Sequence, residues 1–286
     1  MDAGEVREAV GAGLPGYGVA SVTLLGAGLD NVAWEVNGEL IVRQRREPDP
    51  ALRASLVDRE ARLLAAVAQV ATLPVPVPVF ALPERGFLGY RKLPGLSLID
   101  ARRPWLDEHG PAIGAQLGEL LTALHATPAG RWTALADADD QPLEEWLREA
   151  AELYAGTGLR LPAVEAFLRA APPPAGDTLV FSHNDLGIEH VLTEPGKPVL
   201  TGVIDWSDAA LVDPACDFGL LYRDLGPAAL RAALQVYGGD TAALRQRAVF
   251  YARCSAVEDL AYGIEHDRRA YVDKTLAALG WLYPGD

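Results

Sequence analysis

The sequence predicts an α+β chain: a small β-rich N-terminal lobe followed by a larger, mainly helical C-terminal lobe. Three observations carry this. Short apolar runs broken by Gly and Asn read as strands from Val19 to Arg43, and a further strand follows over 86–92. The pair Asn37-Gly38 sits between two apolar runs, a strong hairpin signal. Beyond Gly95 the apolar spacing becomes mainly that of helix.

In order, residues 19–25 read as a strand, Gly26-Ala27-Gly28 as a turn, 32–36 as a second strand and 39–43 as a third. Leu52, Leu56, Leu63, Leu64 and Val67 then mark an amphipathic helix over 52–70. Pro alternates with Val or Leu over 72–80, which forbids helix and predicts extended chain. A strand at 86–92 ends at Leu93-Pro94-Gly95, so the first ninety or so residues read as a small antiparallel sheet with one helix. Helical spacing follows at 113–125, 143–154 and 164–170, and 171–176 is a Pro-rich loop. Two short apolar strands, 179–182 and 199–204, each lead into polar residues, and helices resume from Pro227. There is no internal repeat. The expected division is 1–93, the N-terminal lobe with its linker strand, and 94–286.

The 286 residues are 50% apolar and 22% charged, the composition of a globular chain. No apolar run reaches the roughly 20 residues that span a bilayer, and the N-terminus lacks the basic start and apolar stretch of a signal peptide. A soluble, cytoplasmic protein is expected. Cys216 and Cys254 have no ligand spacing, so packed, reduced thiols are expected. With 39 acidic against 25 basic side chains the net charge is −14, which disfavours nucleic acid and anionic membranes as partners and attracts cations. No obligatory protein partner is indicated. Only Lys92, Lys197 and Lys274 are lysines.

The densest polar cluster, His183-Asn184-Asp185-Leu186-Gly187-Ile188-Glu189-His190, follows the strand at 179–182. Twenty residues after Asp185, the strand at 199–204 delivers Asp205, then Trp206, Ser207 and Asp208. Read as neighbouring strands of one hairpin joined by 194–198, the two would aim both aspartates into one cleft. Phosphoryl transfer asks for such a pair: one carboxylate takes the acceptor hydroxyl's proton, the other holds Mg²⁺ against the nucleotide phosphates.

Here the sequence resembles the aminoglycoside phosphotransferase family of protein-kinase-like antibiotic kinases. The resemblance rests on His183 to His190, on Val203-Ile204-Asp205-Trp206-Ser207-Asp208 with Asp213-Pro214 and Asp217, and more weakly on 26–31, Arg43 and Glu60. It implies a bilobal protein-kinase-like fold with Asp185 as catalytic base, Asp205 as principal metal ligand and His190 as second metal ligand. It also implies a phosphate cover at Gly26, Gly28 and Asn31, with Arg43 on phosphate and paired to Glu60. The nucleotide base would bond main chain near Arg91, Lys92 and Leu93, leaving ATP and GTP both open. Three departures stand out. The family usually has Asn where this chain has His190, a His substitution that resembles those of macrolide phosphotransferases; Arg43 stands where a kinase-type lysine is expected; and the 26–28 turn lacks the last loop glycine.

His125 reads as a packed residue bonding the backbone of the catalytic loop, and Asp213 and Asp217 as caps or braces of the segment after Asp205. Asp208, together with Glu258, Asp259, Glu265 and Asp267 on a long helix from Thr241, is expected to form an acidic acceptor wall, with Glu258 and Glu265 on one face. The expected function is therefore an O-phosphotransferase that moves the γ-phosphate of ATP or GTP, with Mg²⁺, to a hydroxyl of a cationic antibiotic, an aminoglycoside or a tuberactinomycin-type basic peptide. Such an enzyme confers resistance. A macrolide phosphotransferase, a metabolic small-molecule kinase and a nucleotide-binding pseudokinase are the alternatives, and the intact Asp185 and Asp205 argue against the last.

Overall fold

Asn37 and Gly38 both adopt left-handed backbone, φ 56° and 72°, and the chain reverses there between its second and third strands. The Asn37 side chain also accepts the N–H groups of Ala20 (2.8 Å) and Ser21 (2.9 Å) and donates to the Gly18 carbonyl at 2.8 Å. The computed structural model describes residues 2–28, 30–239 and 241–284. The chain forms two compact units, Met1–Pro94 with Gly202–Ser207, and Gly95–Thr201 with Asp208–Asp286. The break thus falls one residue beyond the expected one, and 202–207 leave the helical part. The Val203 N–H bonds the Pro74 carbonyl at 2.9 Å, and a Cβ on Gly202 would meet Leu93 Cδ1 at 2.6 Å.

The first unit is an antiparallel sheet of β1 (Val22–Ala27), β2 (Asn31–Val36), β3 (Leu40–Arg45), β4 (Pro78–Leu82) and β5 (Phe87–Arg91), in the order β1-β2-β3-β5-β4. Two helices accompany it where the sequence suggested one. Helix α1 (Ala3–Gly13) starts at a capping box: Asp2 accepts from Gly4 and Glu5, and Glu5 accepts from Asp2. Its Val6, Ala9 and Val10 pack with Val32, Trp34, Val36, Leu40 and Val42. Helix α2 (Pro50–Val67) is capped by Asp49 and carries Glu60. Because side chains alternate along β3, Leu40 and Val42 enter this core and Arg43 takes the opposite face.

In the second unit, α3 (Arg103–His125) packs on α6 (Ala215–Tyr237) through a seam of small residues. Cβ atoms on Gly114 and Gly118 would lie 2.3 and 2.6 Å from the carbonyls of Ala229 and Ala233. Helix α3 starts ten residues before the periodic signal at Ile113 and contains Pro111, whose exposed position tolerates the lost bond. Helices α4 (Leu143–Thr157), α5 (Pro162–Leu168), α7 (Ala242–Glu265) and α8 (Arg269–Leu282) complete it. Helix α6 starts twelve residues before the expected Pro227 and breaks at Gly226 (φ 78°). Its first half, 215–225, is buried on every side, so it shows no amphipathic period.

Two small sheets lie here: β7 (Val180–Ser182) with β10 (Ala210–Val212), and β6 (Leu96–Ser97), β8 (Val191–Thr193) and β9 (Leu200–Val203) in that order. The expected hairpin of 179–182 with 199–204 is therefore absent. The 194–198 turn joins β9 to β8, which the sequence reading missed because three buried residues carry no alternation. Among the described residues no helix is long and apolar enough to cross a membrane. Both cysteines are buried and free.

Candidate active site

Arg43 is the hub of the first unit's polar set. Its Nη1 donates to Glu60 Oε1 at 2.8 Å and stands 3.3 Å from Asp205 Oδ1, and its Nη2 donates to Ser207 Oγ at 2.7 Å. The Ser207 hydroxyl in turn donates to Asp205 Oδ1 at 2.9 Å. The Arg43 and Glu60 side chains are 11% exposed, that of Asp205 42%, so the pair is sheltered while the aspartate reaches solvent. Burial pushes the Glu60 carboxyl up, with Arg43 opposing. Burial likewise pushes the neighbouring Tyr90 hydroxyl up to about 12, again with Arg43 opposing. Asp205 has φ 58°, a left-handed conformation uncommon outside glycine and concentrated at functional sites.

Of the expected phosphate cover, Gly26 lies in β1 and Asn31 opens β2, and the Gly28 N–H bonds the Asn31 carbonyl at 2.9 Å. Leu29 lies outside the described residues. A Cβ on Gly26 would meet nothing within 4 Å, and one on Gly28 only the Asn31 carbonyl at 3.8 Å, so packing does not demand either glycine. Arg91, exposed, ends β5 opposite Leu40, and Leu93 is half-buried against Gly202.

The second unit holds the loop after β7. The fully buried Asp217 carboxylate accepts the N–H groups of His183 (3.0 Å) and Asn184 (2.9 Å), and Asn184 takes φ 65°. Asp217 therefore braces this loop, not the segment after Asp205. Asp213 caps Ala215 at 2.9 Å and pairs with Arg247 at 2.5 Å. His125 bonds side chains where loop backbone was expected: its Nε2 lies 3.2 Å from Ser182 Oγ and its Nδ1 3.1 Å from the Tyr237 hydroxyl. His190 Nδ1 is 2.8 Å from the Asp185 carbonyl and 3.3 Å from Asp185 Oδ2. With Nδ1–H donated there, Nε2 bears the lone pair, the tautomer a metal-binding imidazole needs.

Two residues expected in the acidic wall lie elsewhere. Asp259 is buried, with its carboxylate 3.0 Å from both Arg223 and Lys274, because one position on from Glu258 the helix turns inward. Asp267 lies past the end of α7, with φ 52°. Glu258 stays solvent-accessible; crowding by the protein pushes its carboxyl up, Arg223 opposes this, and Asp185, Glu149 and Asp208 add to it. Glu265 lines a depression of about 680 Å³ with Glu149, Glu152, Leu153, Thr157 and Ile264. Among the described residues no three His, Cys, Asp or Glu side chains converge to hold a metal ion by themselves. Magnesium commonly needs only one or two protein ligands and fills its other positions with phosphate and water, and the exposed Asp205 carboxylate suits that role.

A family model for a phosphotransferase enzyme family, APH, matches residues 21–250, well over half the chain. The chain belongs to this family. The APH chain has the fold of the kinase-like antibiotic phosphotransferases. It superposes on the GDP and kanamycin complex of the aminoglycoside phosphotransferase APH(2″)-IIIa with a TM-score of 0.71 and 22% identity, covering 96% of each chain. It also superposes on apo macrolide 2′-phosphotransferase MphH from Brachybacterium faecium with a TM-score of 0.66 and 24% identity, covering 98% of this chain and 97% of that one. Acyl-CoA dehydrogenase family member 10 of Mus musculus is 23% identical over 194 residues, 63% of this chain; the chain spans only 18% of that protein's length. Other solved relatives hold ADP or ATP.

Residues to which the sequence reading gave no role in this APH chain are Ser207, Ser97 and the charges Glu189, Arg223, Asp224 and Lys274. Ser97 donates to the carbonyl of Glu189 at 2.9 Å, and Asp224 accepts the Ile188 N–H at 3.0 Å. The signal for two of the charges was present: Arg223-Asp224 interrupts an otherwise apolar buried run from 218 to 226.

Proposed function

We propose that this chain is an antibiotic O-phosphotransferase whose acceptor is a cationic antibiotic, an aminoglycoside or a basic peptide, and whose donor is ATP or GTP. The observation that carries the acceptor class is the gathering of carboxylates in the second unit: Glu149, Glu152 and Glu265 line one depression, and Asp185, Glu149 and Asp208 each bear on Glu258, with Arg223 the opposing cation. An acidic surround of this kind favours a polyamine over a neutral molecule.

Asp185 is the base. Its carboxylate takes the acceptor hydroxyl's proton as the acceptor oxygen bonds the γ-phosphorus and the bond from that phosphorus to the β-bridging oxygen breaks. His190 orients Asp185 by holding its carbonyl and facing its Oδ2. Magnesium, when bound, would neutralise phosphate charge, and Asp205 is the residue assigned to hold it; His190 presents the tautomer of a metal-binding imidazole. Arg43, kept in place by Glu60, faces phosphate oxygens. Gly26 and Gly28 leave room for a phosphate to approach the backbone, and the main chain at Arg91 and Leu93 receives the base.

A second reading, a macrolide acceptor, is favoured by the depression beside Glu265, whose exposed Leu153 and Ile264 offer apolar contact. One experiment tests both. Thermal shifts with MgATP or MgGTP plus kanamycin, gentamicin or a macrolide identify the pair that binds, since a native-state ligand raises the melting temperature. Turnover is then measured for Asp185→Ala, and for the parent at rising salt. The expected result is loss of at least about 10²-fold in turnover with nucleotide affinity kept, and an acceptor KM that rises with ionic strength. Asp185→Ala turnover within about tenfold of the parent rejects the base assignment. Salt-insensitive turnover of a macrolide alone rejects the cationic acceptor.

A further inference from the structure

Lys92 and Lys197 have side chains 44% and 62% exposed, whereas that of Lys274, on α8, is 7% exposed. Its ammonium lies 2.8 Å from Glu189 Oε2, 3.0 Å from Asp259 Oδ2 and 3.6 Å from Asp224 Oδ2. Arg223 grips Asp224 with two bonds of 2.8 Å and stands 3.0 Å from Asp259. Five charges, three acidic and two basic, are thus withdrawn from water. Burying ions costs several kcal/mol each even after relaxation, and well-packed apolar side chains often serve stability as well or better. Stability alone is therefore a weak account of the cluster, and its geometry offers another.

Glu189 belongs to the loop that carries Asp185 and His190. Three elements fix this part of the loop from different sides. Asp224 on α6 accepts the Ile188 N–H (3.0 Å), Ser97 at the end of β6 donates to the Glu189 carbonyl (2.9 Å), and Lys274 on α8 holds the Glu189 carboxylate. Gly187 completes the arrangement: a Cβ there would fall 2.6 Å from the Glu189 carboxylate. The Glu189 side chain folds back over the bare Gly187 backbone to reach Lys274, and the Gly187 carbonyl accepts the His190 N–H at 3.0 Å.

We propose that Lys274 is a positioning residue for phosphoryl transfer, with the C-terminal helix α8 setting the register of the 185–190 loop through Glu189. The inference rests on the assignment of Asp185 as base. A misplacement of about 1 Å in a catalytic group costs roughly 10²-fold in rate, so a loop tethered at 188–189 and carrying the base at 185 responds to loss of the tether through kcat.

The test uses the full chain with Lys274→Met, Lys274→Arg, Glu189→Gln, Gly187→Ala and the Lys274→Met/Glu189→Gln double variant. Transfer to kanamycin is followed, or MgATP hydrolysis if the parent does not accept kanamycin, alongside nucleotide Kd and hydrogen exchange of 185–190. Lys274→Met, Glu189→Gln and Gly187→Ala should each lower kcat by about 10- to 100-fold with Kd within about twofold of the parent, and each should speed exchange of the loop. Lys274→Arg should recover most of the rate. The double variant should match the worse single one, because both remove the same tether. Parental kcat in folded Lys274→Met overturns the proposal, as do single effects that multiply in the double variant. If Lys274→Met does not fold, parental kcat in both Glu189→Gln and Gly187→Ala overturns it instead. Asp185→Ala separates the two readings: its activity exposes a wrong base, while a dead Asp185→Ala beside a fully active Lys274→Met rejects only the role of Lys274.

Discussion

Asp217 and Asn184 are joined by a 2.9 Å hydrogen bond from the Asn184 N–H to a carboxylate with no solvent exposure. The same carboxylate takes the His183 N–H at 3.0 Å, so two successive peptide groups converge on one side chain and Asn184 is held in left-handed backbone. Asp217→Asn supplies an acceptor for one N–H and turns an amide donor towards the other. A loss of about 1.5–3 kcal/mol is expected for hydrogen bonds to a charged group, read by urea unfolding, with kcat falling more than nucleotide affinity. Unchanged stability would mean that the loop holds its shape without this brace.

Gly114→Ala tests the seam between α3 and α6. The new methyl carbon would sit 2.3 Å from the Ala229 carbonyl oxygen, which is backbone and has no rotamer to yield. The helices must separate, and a loss of about 1–3 kcal/mol or more is expected. Gly156→Ala on exposed α4, where the Cβ meets nothing, should instead be neutral or slightly stabilising in thermal unfolding.

The buried charge cluster makes stability depend on pH. Burial first, then Asp224 and Glu189, push the Asp259 carboxyl up to about 7 against the pull of Arg223 and Lys274. A carboxyl raised in the folded state holds its proton more tightly folded than unfolded, so stability falls as pH rises from about 4 to about 7. Asp259→Asn removes this group from the titration. Its unfolding free energy relative to the parent should therefore improve steadily across that window, and a constant difference would refute the assignment.

Arg43→Ala leaves the buried Glu60 carboxylate without its partner and should cost about 3 kcal/mol. Arg43→Lys keeps the charge on Glu60 but cannot also reach Ser207 with a second planar N–H. Equilibrium titration with MgATP and MgGTP should rank nucleotide affinity parent, then Lys, then Ala. Equal affinity in all three would remove Arg43 from the nucleotide site.

Much of this was legible because it is local. Asn37-Gly38, the apolar run at 40–42 and the Pro-Val run at 72–80 each carry their conformation in a few residues. The pairing of Arg43 with Glu60 came from the family resemblance, which implies such a pair between the third strand and the helix after it. What escaped depends on distant chain segments. Strands β8 and β10 are three buried residues each, too short to show a period, and their absence from the reading paired β7 with the wrong neighbour. The inward turn of Asp259 needed knowledge of which side of α7 meets Arg223 and Lys274. The capping box of α1, by contrast, was readable as Asp2 to Glu5 and went unread.

The turn at Asn37-Gly38 also bears on how the protein ages. Asparagine before glycine deamidates when the Gly38 nitrogen attacks the Asn37 side-chain carbonyl, which needs that side chain to swing back over its own backbone. Here it is pinned by Ala20, Ser21 and Gly18. The folded lobe thus shields its most labile peptide, and damage accrues chiefly to molecules that have opened. Each such event replaces an amide donor to Gly18 with a carboxylate and loosens the stretch leading into β1. Storage that favours transient opening would convert a reversible excursion into permanent chemical wear.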